Sequence, residues 1–148
     1  MFLAVPGPVA LDVARSLADA LAGKIVVDCT HPPTGKDGPV WAPTDEGSLA
    51  ASIAKAAPSA RVVKGFNTFG AEHHENPGLT GSPVSVYLAS DDAEAKKRVS
   101  YVATKSGFAP IDAGPLRNAG VLENVAILWI HLAMVGGQGR GFVLNLQR

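Results

Sequence analysis

Three polar residues stand at and just after a short apolar run in the middle of the chain: Lys64, Asn67 and Thr68 follow Arg-Val-Val at 61–63. If this run is a strand, the three residues lie at its carboxyl end, where open α/β sheets bind their ligands. An Asn amide and a Thr hydroxyl at that edge are suited to orienting an amide or carbonyl group. The alternative is turn formation, because Asn and Thr bond their own backbone readily. The residues alone leave both interpretations open.

Two other groups of reactive side chains give weaker signals. The sequence Glu-His-His-Glu at 72–75 has the residue types of a metal site. Adjacent side chains point to different sides of a helix or strand, so we expect a solvated helix or loop and no metal site. The single cysteine, Cys29, has apolar neighbours, which favours a buried, reduced thiol over a catalytic one. No catalytic residue is predicted.

Arg117 stands at the predicted start of a helix, where a positive charge opposes the helix dipole. We infer that it serves something other than helix stability. An anionic ligand group or a carboxylate such as Glu123 would satisfy it.

The overall charge limits the class of partner. The chain has 148 residues with 13 Lys+Arg and 13 Asp+Glu, and its formal net charge is zero. This balance predicts no binding of nucleic acid or of an anionic membrane, and favours a small molecule or another protein as partner. The longest apolar run, residues 125–135, is shorter than the ~20 residues of a membrane span. Together with the single cysteine, this indicates a cytoplasmic protein.

Strand and helix patterns alternate along the chain. Strands are predicted at 2–5, 24–28, 61–64, 84–88 and 108–111. Several of them are continuously apolar and do not alternate with polar residues, which is typical of a mostly parallel sheet covered on both faces. Helices are predicted to begin near Pro8, at Ser48, at Asp91 and at Asn118, and the last runs to about Val135. This last helix is apolar nearly all round, which predicts that it is buried or meets a second subunit.

A dinucleotide-binding glycine fingerprint is not found in the sequence. The run Gly-Gly-Gln-Gly-Arg-Gly at 136–141 has Phe142 where the third glycine of G-x-G-x-x-G is required, and it follows a helix instead of a strand. We expect it to be a flexible connection. The long irregular segment from His31 to Gly47 follows the second strand and is predicted to be functional or mobile.

Several segments together resemble a known family. The sequences LAGKIVVDCTHP, ARVVKGFNTFGAE, PVSVYLASDDAEAK and GFAPIDAGPLRNAGVLENVAILWIHLA are similar to the NADP-dependent oxidoreductases related to coenzyme F420-dependent NADP reductase, which include the reductase module of the STEAP metalloreductases. The resemblance implies a single Rossmann-like three-layer domain over residues 1–148. It also implies hydride transfer between NADPH and a deazaflavin or flavin ring, a reaction that asks the protein mainly for positioning.

The resemblance also assigns site residues by position. The residues expected at the cofactor are Ala4, Val5, Pro6, Thr30, His31, Pro32, Asn67 and Thr68. The residues expected at the acceptor substrate are Phe66, Leu116 and Arg117. His31 stands where the family has asparagine.

In such relatives a first βαβαβ half with the glycine-rich turn precedes the strand at 2–5. The sequence is therefore expected to be N-terminally truncated, from about the fourth strand of the fold onward, with that strand as an exposed apolar edge. Two functions follow: an NADP-linked oxidoreductase domain, or a non-catalytic module that dimerises or binds a partner. We expect a homo-oligomer through the C-terminal apolar helix.

Overall fold

A computed structural model of the chain describes residues 1–31, 34–35 and 38–147. The predicted contact at Pro32 lies outside these residues. The strands are β1 (Phe2–Leu3), β2 (Ile25–Asp28), β3 (Thr34–Gly35), β4 (Gly38–Pro39), β5 (Arg61–Lys64), β6 (Ser85–Leu88) and β7 (Ala109–Asp112). The helices are α1 (Gly7–Ser16), α2 (Ala18–Leu21), α3 (Leu49–Ala56), α4 (Glu72–Glu75), α5 (Ala93–Lys105) and α6 (Ala119–Ile130). A 3-10 turn (Leu116–Asn118) leads into α6, and a π-helical turn (His131–Val135) follows it.

The central sheet is parallel, in the order β1-β2-β5. Its register pairs Phe2 with Val27 and Asp28 with Lys64. An antiparallel bridge between Lys64 and Ala89 leads to a second parallel pair, β6-β7. Among the described residues β1 pairs only with β2, and Phe2 is half exposed, so the first strand is an apolar edge as expected.

The central strands have apolar middles because both faces of the sheet are covered. Val26 and Val62 pack with α1 and α3 on one face, while Val27 and Val63 pack with α5 and a group of phenylalanines on the other. Successive side chains of a strand point to opposite faces, so each strand contributes to both cores. The predicted Rossmann-like α/β fold with helices on both faces is confirmed.

The predicted helix starts are partly corrected. Ser48 caps α3 by accepting a hydrogen bond from the Ala51 amide at 3.1 Å, as predicted. The cap of α5 is Asp92, not Asp91: its carboxylate accepts the Ala95 amide at 2.8 Å and is held by Arg61 at the start of β5. Asp91 instead accepts the Leu116 amide.

Asn118 does not cap α6 with its side chain. Its amide nitrogen donates to the Ala113 carbonyl at 2.7 Å, which closes the turn around Gly114. The whole element, residues 116–135, is the one helix in the described ranges that is long and apolar enough to cross a membrane. Length and composition alone are weak evidence for a span, and 39% of its most apolar window is buried inside the domain.

Residues 136–141 are also more constrained than expected. Arg140 pairs with Glu72, and the Phe142 carbonyl accepts the indole N–H of Trp129 at 2.9 Å. Farther along, Asn145 accepts the Ser85 amide at 2.8 Å. Residues 140–145 are therefore held against α4, α6 and β6 by these contacts.

Candidate functional site

A fully buried ion network lies at the carboxyl ends of β2 and β5. The Lys64 ammonium is 2.9 Å from an Asp28 carboxylate oxygen and 3.6 Å from Glu123 on α6, and all three side chains are at most 1% exposed. The ammonium also donates to the Thr30 carbonyl at 2.5 Å. Lys64 therefore faces an interior ion pair and not a ligand, which decides one of the possibilities left open by the sequence.

The two carboxylates of this network position neighbouring backbone. The second oxygen of Asp28 accepts the Thr30 amide at 2.9 Å and the Thr30 hydroxyl at 2.7 Å. Glu123 accepts the first amides of α3, from Leu49 at 3.0 Å and Ala50 at 3.3 Å, where a helix dipole favours a negative charge. The network thus joins the loop after β2 to α3 and α6.

Burial raises the pKa of Glu123 above its ordinary value, although the nearby Lys64 ammonium acts in the opposite direction. A carboxyl whose pKa is higher in the folded state contributes stability that is present below the unfolded pKa of about 4 and is lost as pH rises through the folded pKa. We therefore expect the wild-type free energy of unfolding to fall, relative to that of Glu123→Gln, as pH rises above 4. Urea denaturation of both proteins across a pH series measures this difference. A difference that stays constant or grows with pH would contradict the assignment.

The loop after β5 contains a strained residue. Phe66 has φ of +60°, in the left-handed region that bulky residues rarely adopt and that costs about 1–3 kcal/mol. Edge-to-face contacts at 5.4 Å with Phe2 and with Phe108 hold its ring in the core. Strain of this kind is concentrated at functional sites, and the next residue in the chain is Asn67.

Asn67 is buried, and within the described residues its side-chain amide makes a hydrogen bond through its nitrogen but not through its oxygen. Its nitrogen donates to the Leu122 carbonyl of α6 at 3.0 Å. Its oxygen, Oδ1, is buried and receives no hydrogen bond from any described group. Because a buried acceptor without a donor is costly, this oxygen is a candidate contact for a ligand N–H.

Asn67 borders a cavity of about 540 Å³ between the loops after β2 and β5, the β3–β4 hairpin and the end of α6. Its lining residues are His31, Gly38, Pro39, Asn67, Phe69, Gly70, Ala71, Trp129, Ile130, Met134, Val135 and Arg140. Two aromatic rings, Phe69 and Trp129, contribute apolar wall. Arg140 lies over the Trp129 ring at 5.9 Å, with its charge paired to Glu72. Such a cavity, mostly apolar with a few convergent polar groups, is typical of small-molecule sites.

The wall of the cavity is closely packed at Gly70. A Cβ added at Gly70 would lie only 2.8 Å from the Trp129 ring. The π-helical turn His131–Val135 forms the other side through Met134 and Val135, and such irregular turns are frequent at functional sites.

Comparison with known proteins identifies relatives of this chain. A crystal structure from Arthrobacter sp. FB24, assigned as an F420-dependent NADP reductase, is 31% identical and superposes with a TM-score of 0.89 over 99% of this chain and 68% of its own. The chain belongs to the NADP-dependent reductase family. No protein-family model matches the chain.

Other relatives agree with this assignment. Metalloreductase STEAP3 of Rattus norvegicus is 37% identical over 112 residues, and human metalloreductase STEAP2 is 30% identical over 111 residues. These matches cover 76% and 75% of this chain but only 22% and 21% of the relatives, so the chain spans about a fifth of their length. A hypothetical protein from Sinorhizobium meliloti, SMa0349, superposes with a TM-score of 0.67 over 80% of this chain and 58% of its own, at 29% identity.

Of the positions that the reductase family suggests for the cofactor, His31 and Asn67 line the cavity. Thr30 is buried and held by Asp28, and Thr68 is also buried; neither is among the lining residues of the cavity. The stretch 4–6 follows β1 at the same edge of the sheet, with Ala4 and Pro6 exposed and Val5 half-buried, outside the cavity lining.

The residues suggested for the acceptor are spread over the domain. Phe66 is buried among aromatic rings next to the cavity. Leu116 packs on the α1–α3 side of the domain. Arg117 is exposed at the start of the α6 element, twelve residues or about 18 Å of helix from Trp129. Glu123 does not pair with it, because the carboxylate of Glu123 is occupied by Lys64 and α3.

The remaining candidates of the sequence take structural positions. His73 is fully buried against Phe69, and neither of its ring nitrogens has a partner among the described residues. His74 packs on Phe69 at 4.9 Å, and burial lowers its pKa. Within the ranges that the structure covers, no three His, Cys, Asp or Glu side chains converge as metal ligands. Burial raises the pKa of Cys29 to about 12, so its thiol stays protonated.

Sequence reasoning missed Asp28 in this site region, and it considered Glu123 only as a partner of Arg117 and not of Lys64. Each carried a signal, because an acidic residue that ends an apolar strand or stands inside an apolar helix must find a partner when it is buried. The sequence does not show which residue that partner is, because Glu123 lies 59 residues from Lys64 along the chain.

Proposed function

We propose that the cavity beside Asn67 receives the nicotinamide end of NADP(H) and that the domain supports hydride transfer from it to a flavin or deazaflavin (coenzyme F420-type) ring. The observation that carries this proposal is the buried Asn67 oxygen with no donor, which borders an aromatic-walled cavity at the carboxyl edge of a parallel sheet. A nicotinamide carboxamide supplies the missing N–H, and its planar ring suits the walls formed by Phe69 and Trp129.

The chemistry of hydride transfer resides in the cofactor, and the protein contributes binding and orientation. Asn67 would fix the rotation of the ring by accepting the carboxamide N–H, while its own nitrogen stays anchored on the Leu122 carbonyl. The apolar wall would exclude water from the reacting face. No acid or base is required at this position. Among the described lining residues the one Asp, Glu, Lys or Arg is Arg140, and it is paired with Glu72.

The contacts of the rest of the cofactor are also proposed. Ala4, Val5 and Pro6, together with Thr30 and Thr68, lie at or behind the same edge and would border the ribose and pyrophosphate. Phe66, Leu116 and Arg117 remain the proposed contacts of the acceptor. Because the sequence has no glycine fingerprint for the pyrophosphate, we expect most of the detectable affinity to come from the nicotinamide half.

Reduced nicotinamide mononucleotide is the appropriate probe, since it carries the ring without the adenylate. In a Trp41→Phe variant, Trp129 is the remaining tryptophan, and its emission reports directly on the cavity wall. We expect saturable quenching with a dissociation constant of about 1 mM or tighter, equivalent to ~4 kcal/mol. Reduced nicotinamide riboside serves as a phosphate-free comparison, and adenosine monophosphate as a control without the nicotinamide ring. Absence of saturable quenching by the mononucleotide, or equal quenching by adenosine monophosphate, would contradict the proposal.

A further inference from the structure

Arg140 is the one Lys or Arg among the described residues that line the cavity beside Asn67. Its guanidinium lies over the Trp129 ring at 5.9 Å, and Nε donates to a Glu72 carboxylate oxygen at 2.5 Å. A second, longer hydrogen bond of 3.3 Å joins Nη2 to the other oxygen. The wall of the cavity therefore contains an arginine fork, the group that binds carboxylates and phosphates through two hydrogen bonds, and a carboxylate of the same chain occupies it.

Glu72 holds Arg140 from a position next to the cavity wall. It directly follows two lining residues, Gly70 and Ala71. A Cβ added at Gly70 would meet one of the Glu72 carboxylate oxygens, so the absence of a side chain there makes room for this oxygen. The hydrogen bond from Arg140 lowers the pKa of Glu72. The carboxylate is therefore charged at neutral pH, and it competes with any other anion for the guanidinium.

The ion pair between Arg140 and Glu72 is open to replacement by another anion. The two side chains are 48% and 42% exposed. Water and salt screen a pair of this kind, which contributes little to the stability of a fold. A phosphate carries more negative charge than a carboxylate and offers three acceptor oxygens, and its geometry matches the arginine fork equally well. A ligand with a phosphate can therefore take the place of Glu72.

The backbone on both sides of Arg140 allows the side chain to change partners. Arg140 stands between Gly139 and Gly141, and a Cβ added at either glycine would have no neighbour within 4 Å. Gly139 also has φ of +69°, a conformation that glycine adopts without strain. The chain is fixed again at Phe142, whose ring stacks on Trp129 at 5.5 Å. A rotation confined to residues 139–141 would therefore move the guanidinium and leave the aromatic wall in place.

We propose that Arg140 binds the phosphate of a nicotinamide mononucleotide in this cavity and leaves Glu72 to do so. Glu72 is then an internal counterion, which holds the guanidinium at the wall until a ligand phosphate replaces it. This inference rests on the proposed function of the cavity, and it adds a preference for phosphorylated over phosphate-free ligands. Asn67 contacts the ring and Arg140 contacts the phosphate, so the two residues recognise different parts of one ligand.

The ratio of two dissociation constants tests this exchange. Reduced nicotinamide mononucleotide and reduced nicotinamide riboside differ only by the phosphate, and equilibrium dialysis measures both without relying on the emission of Trp129, which contacts Arg140. The wild type is expected to bind the mononucleotide about 10-fold more tightly than the riboside, the effect typical of hydrogen bonds to a charged group. Arg140→Gln should abolish this preference. Glu72→Gln removes the competing charge and should increase the preference by a further factor of about 2–5. Arg15→Gln is the matched control, because Arg15 pairs with Asp12 outside the cavity lining, and it should leave the ratio unchanged.

The outcomes separate this inference from the proposed function. A wild-type ratio in Arg140→Gln would show that Arg140 does not contact the phosphate, and a ratio that does not rise in Glu72→Gln would show that Glu72 does not compete. Either result overturns the inference while binding of the ring stands. If Arg140→Gln does not fold, Arg140→Lys replaces it: this variant keeps the charge but loses the fork, and its ratio should fall below that of the wild type. Absence of binding of both probes by the wild type would overturn the proposed function and this inference with it.

Discussion

Replacement of Lys64 by methionine is expected to lower the free energy of unfolding by about 3–5 kcal/mol, the cost typical of removing one partner from a buried ion pair. Methionine has a similar shape, so the cavity effect is small. The ammonium, however, is the cation that the described side chains place between Asp28 and Glu123, and its removal leaves two carboxylates in the interior at the same place. Urea denaturation at neutral pH measures the loss.

Two further variants show that this loss comes from the buried charges. Lys55→Met removes an exposed lysine that pairs with Glu46, and it should leave the denaturation midpoint nearly unchanged. Adding Asp28→Asn to Lys64→Met removes one of the stranded charges and should recover part of the stability. A Lys64→Met protein as stable as Lys55→Met would show that the network does not stabilise the fold.

Replacement of Asn67 by leucine is expected to weaken binding of reduced nicotinamide mononucleotide by about 10-fold or more, which corresponds to the ~1–3 kcal/mol of an unmade hydrogen bond to a buried group. Leucine is close in size to asparagine, so it keeps the cavity filled but cannot accept the carboxamide N–H. It also leaves the Leu122 carbonyl without its donor, so some loss of stability is expected as well.

Binding and stability are separated by measuring both in the same variants. Asn76→Ala removes an exposed amide outside the cavity lining and should bind the mononucleotide as the wild type does. Trp129 emission in the Trp41→Phe background reports binding, and urea denaturation reports stability. If a folded Asn67→Leu protein binds with unchanged affinity, the Asn67 oxygen is not a ligand contact.

The sequence predicts the parts of this fold that depend on local pattern. The largely apolar runs at 24–28 and 61–64 predicted strands covered on both faces, and Ser48 predicted the start of α3. Asn67 was found because it stands directly after a predicted strand. In each case the physical cause lies within a few residues of the signal.

The features that the sequence does not predict depend on distant contacts. Asp28, Lys64 and Glu123 meet only because β2, β5 and α6 come together, and Asp92 rather than Asp91 caps α5 because Arg61 holds its carboxylate. The left-handed conformation of Phe66 likewise depends on the rings of Phe2 and Phe108. Such contacts have no signature in the neighbouring residues.

The site residues that the family resemblance suggests differ from the residues that line the cavity, and Arg117 is an example. The resemblance places Asn67, Thr68 and Arg117 in one site, whereas a single chain brings Asn67 to the cavity and leaves Arg117 at the far end of α6.

The central claim is that a nicotinamide ring occupies the cavity between Phe69 and Trp129 and bonds to Asn67. A crystal structure of the chain with bound nicotinamide mononucleotide tests it most directly. The account predicts electron density for the ring in this cavity, with the carboxamide nitrogen about 3 Å from Asn67 Oδ1. A ring bound elsewhere, for example in the groove between Phe2 and Tyr101, or a cavity left empty at a saturating concentration, would contradict it.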